Sequence, residues 1–139
     1  MPDNDVPAPG ETDPAKTVGR FAGRHVLAEL DGIDPGVLDD PGFLRGALTA
    51  AVTEAGATVC EVMSHRFTPQ GVTVLAMLAE SHASLHTYPE IGAVFVDVFT
   101  CGDQADPEHA VRLLAGTLDA GSVRLSTVRR GRHPLPGDR

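Results

Sequence analysis

The sequence predicts an α+β fold: two β-α-β-β-like halves that form one antiparallel sheet, backed on one face by two helices as a two-layer sandwich. Three observations predict it. Two stretches open on Asp-Pro and continue at helical period. Five short runs are rich in Val, Leu, Phe and Thr and have strand length, and the more polar stretch 78–90 supplies a sixth strand. The apolar residues, 42% of 139, are mostly Val, Leu and Ala, with five Phe, one Tyr and no Trp. Side chains that small suit a sheet covered by helices.

Residues 1–16, MPDNDVPAPGETDPAK, carry four Pro and four acidic residues. Such a segment buries too little to offset its ordering entropy, so a disordered tail is expected there, with 17–139 as a single domain. The last residues, HPLPGDR, read the same way. HVLAEL (25–30) is expected as the first strand. In DDPGFLRGALTAAVTEAG, Asp40 suits an N-cap and Pro41 the first helical position. Phe43, Leu44, Ala47, Leu48, Ala51 and Val52 then share one helix face, and Gly56 is the expected stop. TVCEVMSHRF (58–67) is expected as a strand and TPQG (68–71) as a turn. VTVLAMLA (72–79) is a continuous apolar run, expected to be buried on both faces. AVFVDVF (93–99) is a further strand. A second helix follows, with Asp106 as cap, Pro107 first, Ala110, Leu113, Leu114 and Leu118 inward, and Gly121 as stop. SVRLSTV (122–128) is the last strand. The order is β-α-β-β-β-β-α-β. One sheet face would stay open, and an open apolar face suggests a dimer that makes a larger sandwich.

Charge and cysteine usage exclude several functions. Nineteen acidic against eleven basic residues give a net charge of −8, which argues against nucleic-acid binding. The one basic cluster, Arg129, Arg130 and Arg132, is expected as a solvated tail. Cys60 and Cys101 are too few for a disulfide framework. No cleavable signal and no apolar run long enough to span a membrane is present, so a cytoplasmic chain with reduced thiols and no membrane partner is expected.

LAESHASLHTYPE (78–90) concentrates the polar chemistry. His82 and His86 have zinc-site spacing on a helix, but Pro89 and the apolar flank argue for a strand. His25, His65 or Cys101 would have to complete such a site, no paired-ligand spacing supports that, and no metal is expected. A Ser-His hydrolase needs a sharp turn and an acid. There is no G-x-S-x-G, and nothing marks Glu80 or Glu90 as the acid. A third option is self-cleavage. A serine hydroxyl can attack the carbonyl before it and form an ester. Elimination then leaves dehydroalanine, which hydrolyses to a pyruvoyl group. Residue spacing does not choose among these options.

ESHASLHTYPE followed by DVFTCGD resembles the prokaryotic S-adenosylmethionine decarboxylases, which show E-S-H-x-S/T-x-H-S/T-x-P-E and then D-x-F/Y-T-C-G. The resemblance extends to GRHVLAEL, AGATV, HRFTPQGV and RGR and covers about residues 18–132. It implies a self-processing proenzyme cut between Glu80 and Ser81 into a β chain (1–80) and an α chain (81–139). Ser81 would become the covalent pyruvoyl cofactor, which forms a Schiff base with S-adenosylmethionine and yields the aminopropyl donor for spermidine synthesis. The resemblance further implies that His86 assists processing and lies near substrate, and that Thr73 holds the place of a processing serine. Cys101 would protonate the decarboxylated carbanion, Phe67 would stack on adenine and Glu90 would bind the ribose. A homodimer with both protomers contributing to each site is implied too.

The chain departs from the family's usual F-H-R/K-F-x-P-x-G-V-S-G. Ser64 replaces an aromatic residue, Thr73 a serine and Val74 a glycine, while Ala83 replaces a larger aliphatic residue. These departures are expected to cluster near the pocket. They keep two alternatives open, the same chemistry on arginine or ornithine and an uncleaved, non-catalytic paralogue.

Overall fold

Side chains alternate with period two along the central strands, which sorts the sheet into a helix-covered face and an open face. The computed structural model describes residues 22–131. The tails expected at 1–16 and 133–139 lie outside the described residues, as does Arg132. The elements are β1 (Ala22–Asp31), α1 (Pro41–Glu54), β2 (Val59–Arg66), β3 (Val72–Leu78), β4 (Ser81–Tyr88), β5 (Ala93–Cys101), α2 (Pro107–Thr117) and β6 (Ser122–Gly131), with single 3-10 turns at Val37–Asp39 and Pro89–Ile91. The element order and the α+β class are as expected. Every neighbouring pair is antiparallel, in the order β2-β3-β4-β5-β1-β6. β1 therefore lies between β5 and β6, and the two halves of the chain interleave.

Both helices begin as their Asp-Pro signals dictate. Asp40 accepts a hydrogen bond from the Phe43 amide and Asp106 one from the His109 amide, each at 3.1 Å, with Pro next in the chain. Gly56 stops α1 at φ 101°, while Asp119, at φ 54°, holds the left-handed position after α2 in place of the expected Gly121. Leu44, Leu48 and Val52 of α1 and Val111 and Leu114 of α2 pack on Val26, Leu30, Val74, Leu85 and Val98 of the sheet. Each such side chain contributes about 1.5–3 kcal/mol of burial.

Three expectations need correction. Phe43 points to solvent, 42% exposed, because the buried stripe of α1 begins at Leu44. β3 is not buried on both faces: Val72, Val74, Ala76 and Leu78 face the helices, while Leu75 and Met77 stand on the open face. The basic cluster is not all tail, since β6 runs on to Gly131 and pairs Arg130 with Gly23 of β1.

Candidate active site

The open face carries the chemistry. Ser81 follows the two-residue turn Ala79–Glu80 that joins β3 to β4, and it pairs with Leu78 and with Thr100. Its φ is 157°, well away from the roughly −140° of an antiparallel strand. This departure from strict alternation lets Ser81 Oγ approach within 3.3 Å of His82 Nδ1, although the two residues are adjacent. The Glu80 carbonyl oxygen accepts from the Cys101 amide at 3.3 Å, and a Glu80 carboxylate oxygen accepts from the Thr58 amide at 2.9 Å. The Glu80 side of the Glu80–Ser81 bond is thus held by two amide donors. Ser81, His82, Ser84 and Asp97 line one side of an open cleft of about 530 Å³, and Met63, Leu75 and Met77 line the other.

Asp97 of β5 is the hub of the face. Its Oδ2 accepts from His25 Nε2 of β1 at 2.7 Å and from His82 Nε2 at 3.2 Å, and its Oδ1 accepts from the Ser84 hydroxyl. Burial pushes the Asp97 carboxyl up, but hydrogen bonds from Ser84, His25 and His82 outweigh it and hold the group below its ordinary value. Arg130 donates to His25 Nδ1 at 3.2 Å and lies over the Phe99 ring at 4.5 Å. His25, His82 and Asp97 offer one ligand atom each within 4.8 Å, a set that suits a divalent transition ion. All four ring nitrogens, however, already have protein partners, and a hydrogen-bonded cluster accounts for the whole arrangement.

His86 sits in a second group. Thr73, directly across the β3–β4 ladder, brings its hydroxyl to 3.0 Å from His86 Nδ1, and Ser84 Oγ lies 3.4 Å from Nε2. The Ser84 hydroxyl donates to Asp97, so its oxygen accepts from Nε2–H, and Nδ1 accepts from Thr73. His86 also borders a second groove of about 510 Å³ with Leu27, Glu29, Phe95 and Arg124. The Cys101 thiol is half-buried at the end of β5, where burial pushes its pKa up and Arg130 draws it partly back.

Of the residues expected at the site, Glu80, Ser81 and Cys101 come together, and Thr73 joins His86. The register of β4 runs unbroken from Ser81 to Tyr88, so Ser81 and His86 stand about 16 Å apart along it. No bulge brings them together. Phe67, edge-on to His65 at 4.5 Å, and Glu90, on the turn after β4, lie at the far end of the sheet, about 23 Å from Ser81.

Sequence reasoning assigned no role to Asp97 or Ser84, and it weighed His25 and His82 only as metal ligands. Strand alternation could have placed His82, Ser84 and His86 on one face, but nothing local shows Asp97 between two imidazoles. The expected clustering of departures near the pocket is also corrected. Val74 and Ala83 are buried against the helices, and Ser64, paired with Val74, faces Arg45 of α1 at 3.4 Å. Thr73 changes a side chain on the open face, and Ala83, although buried, borders the cleft beside Ser81 and His82.

Comparison with known proteins bears on the chain as a whole. The family model for S-adenosylmethionine decarboxylase matches residues 24–131. The S-adenosylmethionine decarboxylase proenzyme of Prochlorococcus marinus strain MIT 9313 is 51% identical over 110 residues, 79% of this chain and 88% of the relative. The proenzyme of Caldanaerobacter subterraneus subsp. tengcongensis is 43% identical over 109 residues, covering 78% and 88%. The crystal structure of the adenosylmethionine decarboxylase from Aquifex aeolicus VF5 superposes with a TM-score of 0.75 at 34% identity, covering 81% of this chain and 93% of that one. A likeness that spans the whole sheet, both helices and the ESH and TCG segments places the chain in the S-adenosylmethionine decarboxylase family.

Proposed function

We propose that the chain is a proenzyme that cleaves itself between Glu80 and Ser81 and then decarboxylates S-adenosylmethionine, feeding spermidine synthesis. The observation that carries this reading is the geometry of the Glu80–Ser81 bond. A hydroxyl stands beside an imidazole nitrogen, and an amide N–H lies on the carbonyl that the hydroxyl would attack. Those are the groups that turn a serine into a pyruvoyl group, so the residues fit that cofactor. When formed, the pyruvoyl ketone supplies the electron sink for loss of the carboxylate. Around it, Cys101 holds a thiol that burial keeps protonated at neutral pH, as a proton donor requires.

A homodimer completes the site in this reading. His86, Phe67 and Glu90 are too far from Ser81 to serve it within one protomer, so a second copy would bring them there. The open face favours such packing: Met63, Leu75, Met77 and Phe95 are each more than two-fifths exposed. Both cysteines are free, which supports a reducing, cytoplasmic setting. Among the described residues no helix is long and apolar enough to cross a membrane.

Substitutions that face the helices give little reason to prefer arginine or ornithine as substrate. Denaturing electrophoresis should show chains of 80 and 59 residues. Carbon dioxide release should favour S-adenosylmethionine over arginine, ornithine and lysine. A single intact chain would favour the non-catalytic paralogue, and release from arginine or ornithine alone would overturn the substrate.

A further inference from the structure

We propose that His82, oriented by Asp97, is the base that takes the hydroxyl proton of Ser81 as that oxygen attacks the Glu80 carbonyl carbon. The assignment rests on the self-processing function proposed above and adds to it a residue and a proton path within one protomer.

Ser81 Oγ, His82 and Asp97 form a continuous relay: 3.3 Å from Oγ to Nδ1, then 3.2 Å from Nε2 to the carboxylate. This is the nucleophile, base and orienting acid of a serine hydrolase, directed at the chain's own backbone. The first distance is slightly long, as such contacts are before reaction. Partner chemistry determines the tautomers. Arg130 only donates, so His25 Nδ1 accepts and His25 Nε2–H donates to Asp97. The ionised Asp97 only accepts, so His82 Nε2 carries hydrogen and Nδ1 presents its lone pair to Ser81. An imidazolium formed at His82 would lie against that same carboxylate.

The step balances without any added reagent. Ser81 Oγ bonds to the Glu80 carbon while its proton moves to His82 Nδ1. Negative charge gathers on the Glu80 oxygen, where the Cys101 amide donates. The peptide C–N bond then breaks, and its nitrogen takes the proton back from Nδ1. An amide becomes an ester and a free amine. Removal of the Ser81 Cα proton is a later step and is not assigned to His82. His86 cannot replace His82 in the first step within a protomer, because it stands five residues along β4 and is engaged by Thr73 and Ser84.

The titratable groups that face His82 are Asp97 of β5, His25 of β1 and, behind His25, Arg130 of β6. Glu61 of β2 lines the same cleft, and β3 presents Met77 there.

The test follows cleavage of full-length chain made by cell-free translation, with Ser81→Ala as the folded, uncleaved reference. His82→Ala and His82→Gln should melt like that reference and cleave at least 100-fold more slowly than wild type. They should also release no fragment on treatment with hydroxylamine, which cuts the ester but not the amide, and added imidazole should restore part of the His82→Ala rate. Cleavage within fivefold of wild type, or a hydroxylamine-labile ester in either variant, would overturn the assignment. If the variants do not fold, Asp97→Asn, which takes the orienting carboxylate from His82, decides: cleavage slowed at least about tenfold supports the relay, and cleavage within about twofold of wild type overturns it. A wild-type chain that never cleaves would instead tell against the function proposed above.

Discussion

The Cys101 amide donates to the carbonyl oxygen of Glu80 across 3.3 Å, and the Cys101 thiol projects from the same residue at the end of β5. In the proposed function this one residue would serve two reactions through different atoms: its backbone would hold the oxygen on which charge develops during self-cleavage, and its thiol would deliver a proton during turnover.

Cys101→Ala keeps the amide and loses the thiol. Self-cleavage should stay within about twofold of wild type, while turnover falls by roughly 100-fold or more. Electrophoresis and carbon dioxide release, measured on the same preparation, separate the two. Full activity in the variant would make Cys101 a packing residue.

Thr73→Val removes the hydroxyl that donates to His86 Nδ1 and preserves shape. Loss of one hydrogen bond worth about 1 kcal/mol should slow cleavage about fivefold, and Thr73→Ser should match wild type. A cleavage time course checks both, and an unaffected Thr73→Val variant would remove Thr73 from the processing machinery.

Asp97 links folding to pH. Its folded pKa lies below the ordinary carboxylate value, so its contribution is fully present above about pH 4 and is lost as pH falls through the lowered value. In a Ser81→Ala background, the melting temperature should drop on this acid limb. Asp97→Asn should flatten the limb and cost about 1–3 kcal/mol at neutral pH, because His25, His82 and Ser84 lose an ionised acceptor. An unchanged acid limb in Asp97→Asn would contradict the linkage.

Val74→Gly restores the residue usual in the family at a position with no exposed surface. Emptying that space beneath the helices should cost roughly 3 kcal/mol in urea unfolding. The ranking of substrates should not change, because Val74 faces away from the open cleft. A switch in preferred substrate would show that the core reshapes the site.

Gly23 pairs with Cys101, and a Cβ there would meet the Thr100 carbonyl oxygen at 2.6 Å and a Phe99 ring carbon at 2.9 Å. Gly23→Ala must push β1 from β5 beside the thiol. It should destabilise the fold by about 1–3 kcal/mol and lower turnover, read from urea midpoints and carbon dioxide release.

Much of this was legible in the chain alone, because the signals are local. Asp-Pro pairs start helices by supplying a cap acceptor and a preset φ, and they did so at Asp40 and Asp106. Apolar runs of strand length marked five strands, and the Pro89-bounded stretch 78–90 supplied the sixth. The ESH and TCG segments pointed to Glu80, Ser81, His86 and Cys101 through family resemblance. What the local pattern could not supply was which residues stand opposite one another. His25, His82 and Asp97 meet because β1, β4 and β5 are neighbours in a particular register, set by hydrogen bonding between strands far apart in sequence. The separation of Ser81 from His86 depends on β4 staying regular, and the placement of Val74 and Ser64 away from the open face depends on which face the helices cover. Strand order and register are properties of the whole sheet, so the relay at Ser81 became visible only in the folded chain.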